Sequence, residues 1–229
     1  MNHLLWAFWL SLVEILRFGY CVWWWRLRWA LWRESRHLNL DHVSQAAARR
    51  NPELSYGETP TATLARILEL SELSPGSSFL DLGCGRGATV VAADFLGYRA
   101  HGLELVEEYL EVARRVAGSL GRPVDFTQGD MLEVPWPEAE ISLLNSTEFP
   151  EEFRSKLVAR LEALPLDSVV VTYDWELPES AFREFCSLTL PVTRGTVDCR
   201  LFRRRCLRSE KALSSAGDDR LGQRTDRTD

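Results

Sequence analysis

Cysteine and histidine are sparse in this chain of 229 residues, acidic residues outnumber basic ones, and no uninterrupted apolar run is long enough by itself to cross a bilayer. Each shortage removes a class of function. The five cysteines (Cys21, Cys84, Cys186, Cys199 and Cys206) are odd in number, form no C-x-x-C pair and are scattered over presumed helix, loop and strand. That pattern argues against a disulfide framework or a zinc site and for reduced thiols in a cytosolic setting. The four histidines (His3, His37, His42 and His101) lack metal-ligand spacing, so no metal is expected. With 27 Lys and Arg against 33 Asp and Glu, the formal charge is -6. A surface of that sign gains nothing from counterion release on phosphate, and nucleic acid is not expected as a partner. No internal repeat is present, and the start has neither the basic n-region nor the small-residue cleavage site of a signal peptide.

What is present falls into three regions. A hydrophobic content of 45% supports one substantial core with residues to spare at the ends. Residues 1–40 stand apart as a hydrophobic Trp- and Arg-rich helical segment holding Trp6, Trp9, Trp23, Trp24, Trp25, Trp29 and Trp32, seven of the nine tryptophans. Residues 4–13 are apolar, Glu14 and Arg17 interrupt, residues 18–25 are apolar again, and Arg26, Arg28, Arg33 and Arg36 follow. Glu14 and Arg17 are spaced to pair on one helix face, which would lower the cost of placing them in lipid. Together residues 4–25 approach the roughly 20 residues of a single span, with tryptophans and arginines where an interfacial belt and a cytoplasmic flank belong. A helix lying in the interface plane is a second arrangement, since Trp25, Trp29 and Trp32 share a face. A lid packed on the rest of the chain is a third. The expectation is membrane association through residues 4–32 at the cytoplasmic face.

Residues 41–208 alternate strand-like and helix-like segments in the manner of a doubly wound α/β sheet. Pro60 can open a helix whose apolar stripe is Ala62, Leu64, Ile67, Leu68 and Leu70. Strands are predicted over 78–82, 100–105, 124–128, 141–145 and 168–173, and helices over 88–96, 107–120 and 151–163. Residues 182–190, helix or strand, then lead through a Thr-Arg-Gly turn into an antiparallel edge strand over 196–203. Residues 209–229 have too few apolar side chains to offset ordering entropy, and a disordered polar tail is expected.

The residues that carry chemistry sit after the strands. The first strand runs through Asp81 into Gly83-Cys84-Gly85-Arg86-Gly87, a glycine turn at a topological switch point. A dinucleotide needs the helix amino terminus for its pyrophosphate, whereas the acid beside this turn repels phosphate and attracts an ammonium group. S-adenosylmethionine (SAM) carries an ammonium and a sulfonium and no phosphate. Glu104 closes the second strand, where a carboxylate can accept from both ribose hydroxyls. Asp130, after Gln128-Gly129, is placed to accept from an adenine amino group while Met131 packs on the ring.

These elements, in this order, resemble the class I, Rossmann-like SAM-dependent methyltransferases. The resemblance implies a mostly parallel seven-stranded sheet with an antiparallel final strand, with Asp81, Gly83, Cys84 and Gly85 at the methionine part of the cofactor, Glu104 at the ribose and Asp130 at the adenine end. Upstream, Tyr56-Gly57-Glu58-Thr59 is similar to the loop that the non-SET histone lysine methyltransferases fold over the methionine moiety. The likeness implies that Glu58 meets the ammonium and Thr59 the carboxylate or a backbone partner. Residues 129–132 and the strand ending at Asn145 resemble that family too. The Ser146-Thr147-Glu148-Phe149 stretch is less aromatic than the family's pattern, and no long lysine-rich extension is present. Small protein-lysine methyltransferases with an amino-terminal anchor are similar in arrangement.

Methyl transfer from a sulfonium is an in-line displacement that asks mainly for alignment and exclusion of water. Asn145 is the candidate for orienting an acceptor amine, with a loop cap as its alternative role. Tyr56 is the second catalytic candidate; with Phe149, Tyr173 and Trp175 it is placed either to wall an acceptor channel or, as aromatic residues at strand ends often do, to fill core. The expected activity is methyl transfer to a protein lysine. A small-molecule or lipid methyltransferase is the alternative, and a SAM-binding protein without catalysis is the third.

Overall fold

Strand β1 (Ser78–Leu82) reads Ser-Phe-Leu-Asp-Leu and is buried from Phe79 onward, as a strand covered on both faces must be. It pairs in parallel with β2 (Arg99–Glu104) on one side and β4 (Ile141–Leu144) on the other. β3 (Asp125–Gln128) extends the sheet beyond β2, and β5 (Val169–Tyr173) extends it beyond β4, both parallel. β6 (Phe182–Val192) and β7 (Gly195–Arg204) form an antiparallel hairpin whose β7 docks on β5, giving the order β3-β2-β1-β4-β5-β7-β6. This is the seven-stranded doubly wound sheet with an antiparallel close that the sequence implies. The ambiguous stretch over 182–190 is strand.

The computed structural model describes residues 3–36, 38, 39, 43, 57–147 and 149–205. Tyr56 and the expected polar tail over 209–229 lie outside these described residues.

The strands' period of two sorts the core into two layers. Phe79, Leu143 and Val171 face Leu64 and Ile67 of α3 (Thr61–Leu70), Val91 of α4 (Ala88–Phe95) and Val116 of α5 (Glu107–Leu120). Leu80, Leu144 and Val170 face Leu157 and Leu161 of α6 (Glu151–Leu161). Asp81 is two residues beyond Phe79 and belongs to the α3–α5 side, which brings its carboxylate under the start of α4.

The amino-terminal region departs from expectation. It is two helices, α1 (His3–Phe18) and α2 (Val22–Ser35), separated by a break at residues 19–21. Among the described residues no helix is long and apolar enough to cross a membrane, which overturns the expected membrane anchor and the membrane-associated localisation drawn from it. The apolar side chains have a different use. Leu27, Ala30 and Leu31 of α2 are buried in the same core layer as Leu64, Ile67 and Val116. Trp23 stacks on Phe95 of α4 with ring centroids 5.1 Å apart. Trp6 at the other end donates its Nε1–H to the carbonyl of Val192, 2.9 Å away, at the tip of the β6–β7 hairpin. The face bearing Trp25, Trp29 and Trp32 is exposed.

Glu14 and Arg17 do not pair with each other. Arg17 binds Glu69 of α3, while Glu14, only 4% exposed, accepts the backbone N–H of Ala62 at 2.9 Å and has Arg28 within 3.8 Å. Glu14 thus caps α3 from 48 residues away, because the residue at the helix's own cap position, Pro60, has no side chain able to accept from those N–H groups. Glu14→Ala is expected to cost about 1–3 kcal/mol, the range for losing a cap and orphaning a buried donor. Urea unfolding of the full chain checks this, and a loss below a few tenths would show that the cap contributes little.

Candidate active site

The turn after β1 is built by three glycines with positive φ, Gly83, Gly85 and Gly87. Gly87 shows the necessity most clearly. It is the left-handed residue that starts α4, and a Cβ there would lie 2.8 Å from Cβ of Ala113 and 3.0 Å from the ring of Phe126. The turn is anchored to β2 by two bonds to one carbonyl, since the N–H groups of Gly83 and Cys84 both donate to Leu103 at 2.8 and 2.9 Å.

Glu104 holds the turn from the side. Its Oε2 accepts from Gly85 N–H and its Oε1 from Val106 N–H, each at 2.8 Å. Burial pushes its carboxyl above the usual range, and these backbone donors partly counter the shift. Cys84 is buried in the turn, and burial, reinforced by the charges of Asp81 and Glu104, pushes its thiol well up, so it sits there as a neutral small side chain. Its sulfur requires Gly102 opposite: a Cβ on Gly102 would meet Cys84 Sγ at 2.6 Å, Phe126 at 2.8 Å and Val90 at 2.9 Å. Gly102→Ala is therefore expected to lower stability by about 1–3 kcal/mol through overpacking, measured as a fall in the urea midpoint at unchanged slope.

Asp81 is the most unusual group of the site. It is 5% exposed and accepts a hydrogen bond from Thr89 Oγ1 of α4. Its carboxyl is pushed up from 3.8 to about 7, chiefly by burial, with the bond from Thr89 opposing and the nearby charge of Glu104 adding to the rise. Among the described residues its side-chain hydrogen bond is with Thr89, while the nearby Arg86 is engaged by Glu58, so the Asp81 carboxylate gains from a cation that arrives.

The loop over residues 57–60 closes the space opposite. Glu58 is engaged by Arg86 of the glycine turn, whose Nε donates at 2.9 Å while Nη1 donates to Ser35 Oγ of α2 at 2.8 Å. Thr59 Oγ1 is hydrogen-bonded to the hydroxyl of buried Tyr173 at 3.0 Å. The free space bounded by Asp81, Thr89, Glu58 and Arg86 is about 30 Å³. A second cavity of about 230 Å³ adjoins it and shares Gly57, Glu58 and Asn145 as walls.

Of the residues singled out in the sequence, Glu58, Thr59, Asp81, Gly83, Cys84, Gly85 and Asn145 come together around this space. Glu104 lies behind the turn. Asp130 follows β3, its Oδ1 taken by Leu132 N–H at 2.7 Å, and the Cε of Met131 is 3.8 Å from the position of a Cβ on Gly83. Phe149 and Trp175 are core on the α6 side and do not reach either cavity. Arg86 and Thr89, which sequence reasoning gave no role, line the space directly. Arg86 stood inside the motif, and Thr89 lay eight residues after Asp81 in the first turn of α4.

Similarity to known proteins agrees with this geometry. Residues 79–164 match the family described as a methyltransferase domain. A histone-lysine N-methyltransferase, H3 lysine-79 specific, from Cryptococcus neoformans is 30% identical over 156 residues, covering 61% of this chain and 24% of that one. A protein-lysine N-methyltransferase from Saccharolobus islandicus is 29% identical over 132 residues, covering 55% of this chain and 80% of the relative. The chain thus spans about a quarter of the length of the first of these curated relatives. An RNA methyltransferase from Salinibacter ruber, solved in complex with S-adenosyl-L-homocysteine, superposes with a TM-score of 0.56 at 26% identity, over 67% of this chain and 97% of that one. The chain is a SAM-dependent methyltransferase with the class I fold. The cofactor of this methyltransferase is SAM. Its own residues fit that group: the buried carboxylate of Asp81 can take a cation, and Gly83 and Gly85 line the space without a Cβ.

Proposed function

We propose that this methyltransferase methylates the side-chain amine of a lysine in a protein. The observation that carries the reading is the position of the loop at Gly57, Glu58 and Thr59. It stands between the Asp81 turn and the larger adjoining cavity, with Gly57 and Glu58 walling both, which supports one loop serving cofactor and acceptor together. The names of the two curated lysine methyltransferases support the acceptor class.

In this reading Asp81, Gly83, Cys84 and Gly85 hold the methionine part of the cofactor together with Glu58 and Thr59, Glu104 takes the ribose hydroxyls, and Asp130 and Met131 take the adenine. Glu58 and Arg86 would have to part for these residues to hold the cofactor, since the space behind the pair has room for little more than a water molecule. Bound there, SAM supplies a methyl group on a positively charged sulfonium. The chain's part is to align the acceptor and keep water out. A lysine ammonium, with a reference pKa of about 10.4, must shed a proton to solvent before its lone pair can form the new N–C bond as the S–C bond breaks. Asn145 Nδ2 donates to Gly57 O at 3.4 Å, and its Oδ1 accepts from Thr147 at 3.3 Å. That oxygen keeps a second lone pair with which to orient the amine's remaining N–H.

Full-length protein incubated with lysate and SAM labelled in its methyl group, followed by acid hydrolysis, tests the reading. Methyl-lysine is the expected product, and label confined to lipid or small-molecule extracts sinks the lysine assignment.

A further inference from the structure

The larger cavity has a composition of its own. Val192 and Val197, from either side of the β6–β7 hairpin turn, supply apolar wall, Thr147 and Thr193 supply hydroxyls, and Asp174 and Arg194 supply charge. Glu58 also faces it, but its carboxylate is engaged by Arg86. Asp174 follows directly on β5 and is held in the left-handed region at φ 50, a conformation that aspartate and asparagine tolerate better than other side chains. Its main-chain oxygen accepts from Arg154 Nη2 at 3.4 Å, and three further bonds fix it there. Its N–H donates to Asp198 O at 2.9 Å, its Oδ1 accepts Asp198 N–H at 2.9 Å, and its Oδ2 accepts from Thr147 Oγ1 at 3.3 Å.

Thr147 also lies 3.3 Å from Asn145 Oδ1. The single hydroxyl proton of Thr147 serves Asn145 Oδ1 or Asp174 Oδ2 at any one time, so Thr147 stands between the residue that contacts the Gly57 loop and an exposed carboxylate at the cavity wall. Among the described residues no cation is bonded to that carboxylate, Arg154 reaching only the main-chain oxygen of Asp174, and it borders a cavity with Val192 and Val197 in its wall. The shape suits an acceptor with an apolar stem and a cationic tip.

Resting on the lysine reading, we infer that Asp174 is the residue that receives the ammonium of the incoming lysine side chain, with Val192 and Val197 against its methylenes. The amine then moves past Thr147 to Asn145 once its proton has gone to solvent.

A fluorescein-labelled 15-residue poly-L-lysine peptide serves as the probe, its binding to full-length protein measured by anisotropy with S-adenosylhomocysteine present. Asp174→Asn is expected to weaken this binding about tenfold, the scale of one charge-assisted hydrogen bond, while the affinity for S-adenosylhomocysteine and the thermal midpoint stay as in the parent. Asn at this position keeps the backbone conformation and the bond from Asp198. Glu111→Gln, an exposed acid on α5, removes the same charge elsewhere and is expected to change binding less than twofold. Equal binding by Asp174→Asn and parent protein, or an equal loss in Glu111→Gln, overturns the assignment. A lack of methyl-lysine in lysate sinks the lysine reading instead, so the two failures are distinct.

Discussion

Replacing Asp81 with asparagine is expected to stabilise the cofactor-free protein while weakening its hold on SAM at least about 30-fold, the lower end for removing one member of a buried charge pair. The stability change follows from proton linkage. In the unfolded chain the Asp81 carboxyl ionises near 3.8, and in the folded chain it ionises at about 7. Between those values the folded state binds more protons than the unfolded state, so the parent protein loses stability as pH rises from about 4 to about 7. The loss approaches 4 kcal/mol in order of magnitude at pH 8. Asparagine carries no such term and can keep its bond with Thr89. The variant should therefore be the more stable protein at pH 8 and indistinguishable from the parent near pH 4, by urea unfolding at both pH values.

The same group sets the pH dependence of binding. A cationic ligand selects the ionised carboxylate, so affinity should fall about tenfold for each unit below pH 7 and level off above it, until an α-amino group begins to lose its own proton near about 8. Calorimetric titration from pH 5.5 to 8 reads this acid limb directly. If Asp81→Asn retains that limb, Asp81 is not its origin.

Deleting residues 1–36 is expected to abolish cooperative folding. A lid or an anchor could be removed and leave a folded domain behind, but α2 contributes Leu27, 1% exposed, and Ala30, 2% exposed, to the layer that covers the sheet. Without them Leu64, Ile67 and Val116 lose their cover, and α3 loses the cap from Glu14. The point variant Leu27→Ala isolates the packing term and should cost about 2–5 kcal/mol. A truncated chain with a sharp thermal transition and parental SAM affinity would show instead that the hairpin is dispensable.

The parts of this molecule legible in its sequence are those where a local pattern has one physical meaning. β1, β4 and β5 are covered on both faces, so their near-continuous apolar runs could be little else, and the acids and glycines that end β1, β2 and β3 fall where a parallel sheet presents its ligand crevice. The amino-terminal segment was misleading for the converse reason. A Trp-rich amphipathic helix has the same periodicity whether lipid or other helices cover it, and the partner of Glu14 lies 48 residues downstream. Arg86, Thr89, Gly102 and Asp174 escaped notice because their meaning is tertiary: what each meets comes from another element, and no spacing along the chain announces it.

The bond between Trp6 and Val192 spans 186 residues of sequence. During synthesis α1 emerges before the sheet, yet the carbonyl that receives its indole is among the last groups of that sheet to be made. Phe18 can meet Ala62 and Ala65 of α3 much earlier, but the Trp6 end of α1 waits on nearly the whole domain for its partner. Closing so long a loop is slow compared with forming the local helices. In refolding from denaturant, tryptophan fluorescence should accordingly reach its native value after the far-ultraviolet helix signal, with the difference reporting the arrival of α1 at the finished hairpin.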